Sequence, residues 1–257
     1  MLVLLSCAKT MSAVSKVKVP LTTSPRFQKE AAEIALQMSQ FSVDELERLL
    51  RVNAKIAVEN YKRYQAFHAE ATPELPALLA YTGIVFKRLN PKDFSAEDFG
   101  YAQEHLRLTS FCYGLLRPLD VIRAYRLEGD VVLPELGNQT LFFYWRSRLT
   151  DTFIEDIRSA GGILCNLASA EMKSLFDWKR VESEVRVVTP EFHVWKNGKL
   201  ATIVVYTKMS RGEMTRFILK NKIGNPEELK GFSWEGFEFD ESLSDERKLV
   251  FINGMGE

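Results

Sequence analysis

Two short runs, Leu2–Ser6 and Ile163–Leu167, are almost wholly apolar. A strand with one wet face alternates apolar and polar residues, and an amphipathic helix keeps a polar stripe. A short run with neither pattern suits a strand covered on both faces. The chain has 257 residues, 46% of them hydrophobic. That is enough to bury one sizeable core or two small ones. Through Met1–Cys7 the first run also has the outline of a lipoprotein cleavage site. The outline fails physically: no positive segment precedes the run, the run is short, and Lys9 follows at once. No apolar stretch reaches the roughly 18 residues that suggest a membrane span. A cytoplasmic protein without membrane contact is expected.

Helix signals are plentiful between the two runs. Ser24-Pro25 joins an N-cap residue to a proline at the first helical position, opening a helix towards Gln40. Ser42-Val-Asp-Glu45 is a capping box ahead of Leu46, Leu49 and Leu50. The segment 52–55 interrupts, and a further helix follows over 54–67. Thr72-Pro73 and Ser95–Asp98 mark two more starts, and Leu106–Ser110 reads as a strand. Thr140 caps a long helix over 141–159, closed by Gly161-Gly162. The clearest β signal comes late. Glu184–Trp195 and Lys199–Tyr206 flank Asn197-Gly198, and Asn-Gly between β-rich runs is a strong hairpin signal. A helix over 209–222 and strands over 232–239 and 249–252 complete the chain. Helices and strands do not alternate regularly, which argues against a pure doubly wound sheet. The expectation is α+β: a single compact domain over 1–257, with a mixed sheet and surrounding helices.

Lys+Arg and Asp+Glu each number 34, so the formal charge is zero. That excludes a polybasic tail protein and a strongly acidic one. Cys7, Cys112 and Cys165 lie far apart with no CxxC pair, which suits three reduced, mostly buried thiols. His68, His105 and His193 have no metal-site spacing. GxGxxG, Walker A, GxSxG and HExxH are all missing. Neither a metal nor a cofactor is expected.

The neutral total hides a segregation. Residues 196–222 hold seven basic side chains against Glu213 alone, while 227–247 hold eight acids against Lys230 and Arg247. Either a polyanion-binding face sits beside an acidic rim, or the two segments pair with each other. Lys208, Arg211 and Arg216 crowd the start of the helix over 209–222. Backbone N–H groups at such an end also favour anions, although a solvated helix face explains the same run. Residues 42–66 have the outline of a helix-hairpin-helix, whose hairpin amides and a nearby cation, here Lys55, would hold a DNA phosphate. Asn53-Ala54 replaces the usual hairpin glycines, and a plain helical corner is the alternative. Lys9 follows the first apolar strand, and Asn166 and Ser169 follow another. Strand C-terminal ends are where α/β sheets put ligands. With Glu128 these residues form a candidate polar pocket, or merely a buried ion pair of Glu128 with Lys9 or Arg126.

The assembled motifs resemble the YaaA family of peroxide-stress proteins. The likeness rests on Leu4-Leu-Ser-Cys-Ala-Lys-Thr10, His105-Leu-Arg-Leu108, Tyr113-Gly-Leu-Leu-Arg-Pro-Leu-Asp120, Tyr125-Arg-Leu-Glu128, Asn166-Leu-Ala-Ser169, Arg211-Gly with Arg216-Phe-Ile218, and Gly236-Phe237. It runs over essentially the whole chain. The family often has proline where Cys7 stands, a change that alters loop stiffness and leaves Lys9 in place. The resemblance implies a cantaloupe-like α+β fold, a positively charged cleft, a helix-hairpin-helix, and binding of double-stranded or distorted DNA. It also implies a role in limiting oxidative damage, with links to DNA repair. On this basis Lys9, Lys55, Arg107, Arg117, Arg126, Lys208, Arg211 and Arg216 are the expected DNA-binding residues, with Lys9, Arg107, Arg117 and Arg126 lining one concavity. The alternative is an enzyme acting on a nucleotide or damaged base in the pocket of Lys9, Glu128, Asn166 and Ser169; no catalytic residue is assigned.

Overall fold

The two apolar runs become neighbouring strands at the centre of one sheet. In the computed structural model, which describes residues 1–196 and 198–254, β1 (Leu2–Leu5) is buried along its whole length. Its companions in the main sheet are β2 (Leu106–Ser110), β3 (Gly114–Leu116), β4 (Ile163–Asn166), β5 (Arg186–Lys196), β6 (Lys199–Ala201), β7 (Phe237–Asp240) and β8 (Lys248–Asn253). The order is β7-β8-β5-β4-β1-β2-β3, with β6 paired to β5. β8, β5, β4, β1 and β2 run parallel, and β7, β6 and β3 pair antiparallel. The sheet is mixed, as expected, with a parallel centre.

Around the sheet lie α1 (Gln28–Met38), α2 (Val43–Leu50), α3 (Ala54–Ala66), α4 (Ala77–Ala80), α5 (Ile84–Leu89), α6 (Ala96–His105), α7 (Leu141–Ser159), α8 (Trp178–Glu184) and α9 (Val204–Asn221). Ser42 and Glu45 close a reciprocal capping box on α2, Ser95 and Asp98 do the same on α6, and Thr140 caps α7. α7 buries Trp145, Leu149, Phe153 and Ile157 along one stripe. One contiguous core runs from Met1 to Phe251. No helix among the described residues is long and apolar enough to cross a membrane.

Tertiary bonds override several local signals. The Ser24-Pro25 start is not used: Thr23 and Ser24 are tied to residues 117–121, and α1 begins at Gln28 without a side-chain cap. Thr72 donates its hydroxyl back to the Ala66 carbonyl instead of capping forward, and Glu74–Pro76 pairs with Val121–Arg123 as strands. The late hairpin forms, but β6 pairs with β5 over only three residues. An extended segment past Ala201 has no further ladder to join, so α9 starts at Val204 instead of 209. Asn197, half of the expected turn, lies outside the described residues. The last sheet hairpin starts at Phe237 instead of 232, because Trp234 and Phe237 exchange backbone hydrogen bonds around a turn at Glu235 and Gly236, both at positive φ.

Candidate functional site

Sheet order reverses between β1 and β4: the chain leaves β1 for β2 on one side and returns to β4 on the other. Such a switch point opens a crevice beyond the strands' carboxyl ends. The loop after β1 and the loop after β4 are stitched together there. Ser169 N donates to Ser6 Oγ at 2.8 Å, and Ser6 Oγ lies 3.2 Å from Ser169 Oγ. Cys7 N donates to Thr109 Oγ1 on β2 at 3.2 Å. These bonds tie Ser6 and Cys7 to the two neighbouring strands' ends.

Above them lies a cavity of about 300 Å³. Its polar wall holds Lys9, Arg126, Glu128, Ser169, Lys208 and Arg211, and Leu5, Phe111 and Met172 supply apolar surface. Lys9 Nζ is 2.8 Å from Glu128 Oε2, and Arg126 Nη2 is 3.5 Å from Glu128 Oε1. The cavity's other two cations come from α9, where a three-residue spacing sets Lys208 and Arg211 on one face. The helix can approach because residue 212 is glycine. A Cβ there would overlap the Val85 carbonyl oxygen and come within 2.8 Å of Arg88 Cβ on α5. Arg211 has no carboxylate partner among the described residues. Its Nε is buried without an acceptor, as is Arg126 Nε. Desolvation holds the Arg211 guanidinium below its ordinary pKa, yet a guanidinium stays charged at any ordinary pH.

A second hollow shares Lys9, Arg126, Glu128 and Glu171 with the first, and adds Leu50, Arg51 and Asp130. It reaches the corner between α2 and α3. Arg51 takes the left-handed conformation (φ 50°) that glycine usually supplies, its guanidinium pairs with Asp130, and Asn53 caps α3. Lys55 is exposed in the first turn of α3. A third hollow, a groove of about 860 Å³, shares Thr82 and Phe86 with the cavity. Lys16, Lys18, Lys87 and Lys92 line it, with no Asp or Glu among its lining residues.

The eight expected cations therefore do not converge as a set. Lys9, Arg126, Lys208 and Arg211 share one cavity. Arg107 does not join them and corrects the expected concavity. It is 6% exposed, and it donates to Asp156 Oδ2 at 2.6 Å and to the carbonyls of Gln103 and Leu106. Arg117 is also separate, bound at 2.8 Å to the fully buried Asp120. Arg216 grips Asp93 with both terminal nitrogens, at 2.8 and 2.6 Å. Asn166 faces its own loop, accepting from Ala168 N at 3.2 Å, and is 2% exposed. The basic and acidic segments do not neutralise each other either. Arg216, Lys220 and Lys222 pair with Asp93, Asp98 and Glu97, which precede or begin α6. Among the described residues no ion pair joins 196–222 to 227–247.

Sequence reasoning missed the four groove lysines. Two sit in an irregular stretch and two flank the end of α5, so no periodicity marks them. Their one shared signal is the lack of acids over 11–29, where Lys16 and Lys18 lie. All three cysteines are free thiols. Burial pushes Cys7 and Cys165 up to about 12, and Cys112 upward as well. No cluster of three or more metal-ligating side chains occurs among the described residues.

Comparison with known proteins brings in what geometry alone lacks. Residues 1–243 match the family model described as "Peroxide stress protein YaaA". A UPF0246 protein of Bacteroides thetaiotaomicron is 98% identical over 257 residues, covering 100% of both chains. A UPF0246 protein of Porphyromonas gingivalis is 52% identical over 254 residues, covering 98% of this chain and 99% of its own. One from Clostridium beijerinckii is 36% identical over 257 residues, covering 99% and 98%.

Proposed function

The chain belongs to the YaaA family of peroxide stress proteins, and from that premise we propose that it binds DNA without reading sequence, holding phosphates in the cleft between α9 and the loop after β1. The observation that carries this reading is the unpartnered Arg211 guanidinium in a cavity that shares Thr82 and Phe86 with a groove lined by four lysines. Desolvated cations without carboxylates attract phosphate, and their bound counterions leave when it arrives. The cavity has the size of one nucleotide, so a distorted or frayed duplex suits it better than an intact one. The α2–α3 corner acts as a helix-hairpin-helix at the far rim, with Lys55 binding phosphate there.

Fluorescence anisotropy with duplex, forked and single-stranded oligonucleotides tests the reading. Affinity should fall steeply between about 50 and 200 mM salt. Combined Lys208→Ala and Arg211→Gln should flatten the dependence by about 0.9 log unit for each duplex phosphate left without its cation. Lys55→Glu should weaken all duplex sequences alike. Unchanged slopes in both variants would place DNA elsewhere.

A second reading, an enzyme acting on a nucleotide or damaged base, draws on the buried carboxylate of Glu128 in the same cavity. Lys9 serves it poorly as a nucleophile. Its side chain is 64% exposed and salt-bridged, whereas an amine nucleophile is activated by desolvation or a cationic neighbour. Lys9→Arg retains charge but not a removable proton. If that variant keeps DNA binding yet loses protection of cells from peroxide, the enzymatic reading replaces the first.

A further inference from the structure

The cavity holds more positive charge than its own carboxylates balance. Lys9, Arg126, Lys208 and Arg211 stand against Glu128 and Glu171, a surplus of two among the described lining residues. The surplus is not evenly spread. Lys9 and Arg126 both face Glu128, while Lys208 and Arg211 have no carboxylate within ion-pair distance among the described residues. Arg126 and Arg211, whose buried guanidinium Nε atoms lack acceptors, both line this same cavity. An internal phosphodiester brings a single negative charge. A phosphomonoester brings between about 1.5 and 2, with three strong acceptor oxygens. Charge count and orphaned donors both match the second.

We propose that the cavity is a phosphomonoester site: it takes the terminal phosphate of a nucleotide, with Arg211 and Arg126 donating to the phosphate oxygens and Lys208 supplying further charge. The ligand is either the phosphorylated end of a DNA strand or a free nucleoside monophosphate. The inference rests on the reading of the cleft as a phosphate-binding surface and names what its deepest part selects.

Three single-stranded oligonucleotides of one sequence distinguish the possibilities, carrying a 5′-phosphate, a 3′-phosphate or hydroxyl groups at both ends, with the fluorophore placed internally. The full chain should bind one phosphorylated form about tenfold more tightly than the hydroxyl form at fixed salt. Adenosine monophosphate should compete for that increment, and adenosine should not. Arg211→Gln should erase the increment while the hydroxyl-ended strand still binds. Lys208→Ala, on an exposed side chain, should reduce it about threefold and guards against a misfolded Arg211 variant. Competition by the monophosphate without any end preference would still support the site and assign it to free nucleotide. Equal binding of all ends and no competition, with cleft variants weakening every strand, would overturn this inference and leave DNA binding standing. Cleft variants with no effect on any strand would overturn both.

Discussion

Lys9 Nζ lies 2.8 Å from Glu128 Oε2, yet the two side chains are 64% and 10% exposed. The ammonium keeps most of its water and the carboxylate has lost nearly all of its own. Lys9 and Arg126 therefore serve to neutralise Glu128, and Glu128 in turn damps the positive potential of the cavity. Glu128→Gln removes that charge and keeps the shape. DNA affinity should rise by roughly three- to tenfold at low salt, where surface fields act most strongly. Anisotropy titrations check the direction; weaker binding would instead make Glu128 an acceptor for the ligand.

Arg107 belongs to stability, not to the cleft. Burial alone would raise the Asp156 carboxyl, but hydrogen bonds from Arg107 and Arg26 reverse this and hold it below its ordinary pKa. Asp156→Asn strands a buried guanidinium and should cost about 3–5 kcal/mol. A carboxyl with a depressed folded pKa contributes stability above its unfolded value, and the contribution fades as pH falls through the folded one. Urea melts should thus show the full wild-type advantage at pH 7, shrinking below about pH 4. DNA affinity of the folded variant should not change.

Structure is legible in the sequence where one short segment decides the outcome. The apolar pattern of Leu2–Leu5 and the box of Ser42 with Glu45 need no distant partner to be read. Structure is not legible there where another part of the chain decides. Residues 117–121 claim Thr23 and Ser24, and the ladder to Val121–Arg123 claims Glu74–Pro76. The site divides the same way. Lys9 was visible because it follows a strand. The fates of Arg107, Arg117 and Arg216 depend on Asp156, Asp120 and Asp93. For Arg107 and Arg216 those carboxylates are remote in sequence, and pairing cannot be read from charge composition.

Peroxide stress invites a search for a sensing thiol, and Cys7 lines the cavity. Its pKa of about 12, set first by burial, leaves the thiol protonated at pH 7. Thiolate is the form that peroxide and alkylating agents attack. Iodoacetamide at pH 8 should label Cys7 in the native protein at least about a hundredfold more slowly than a free cysteine. Mass spectrometry of timed samples measures this, and rapid labelling would refute the assignment of a merely structural thiol.

Gly212 links fold and site. α9 crosses α5 where any Cβ on residue 212 would meet the Val85 carbonyl oxygen and Arg88. Gly212→Ala should cost about 1–3 kcal/mol through overpacking. The strain is relieved by moving α9 outward, which carries Lys208 and Arg211 with it. Phosphate-dependent binding should therefore weaken even where the variant remains folded, and a thermal melt beside the titration separates the two effects.

The proposed site predicts separable contributions from the lysine groove and the arginine cavity. Lys16, Lys18, Lys87 and Lys92 lie outside the small cavity but share a border with it at Thr82 and Phe86. On the proposed reading, a strand with one end in the cavity leaves past these lysines or past the α2–α3 corner. Lys87→Glu combined with Lys92→Glu should weaken oligonucleotide binding and lower the salt slope by about 0.7 for each single-strand phosphate that no longer meets a lysine. The same pair should leave affinity for a nucleoside monophosphate unchanged, because that ligand does not reach the groove. Arg211→Gln should do the reverse, abolishing monophosphate binding while long strands keep their hold on the lysines. Calorimetry with the monophosphate and anisotropy with the oligonucleotide, on the wild type and both variants, should rank the two variants oppositely, with the wild type unsurpassed for either ligand. If the double reversal leaves long strands untouched, they leave by the α2–α3 corner, and Lys55→Glu becomes the variant that must show the weakening.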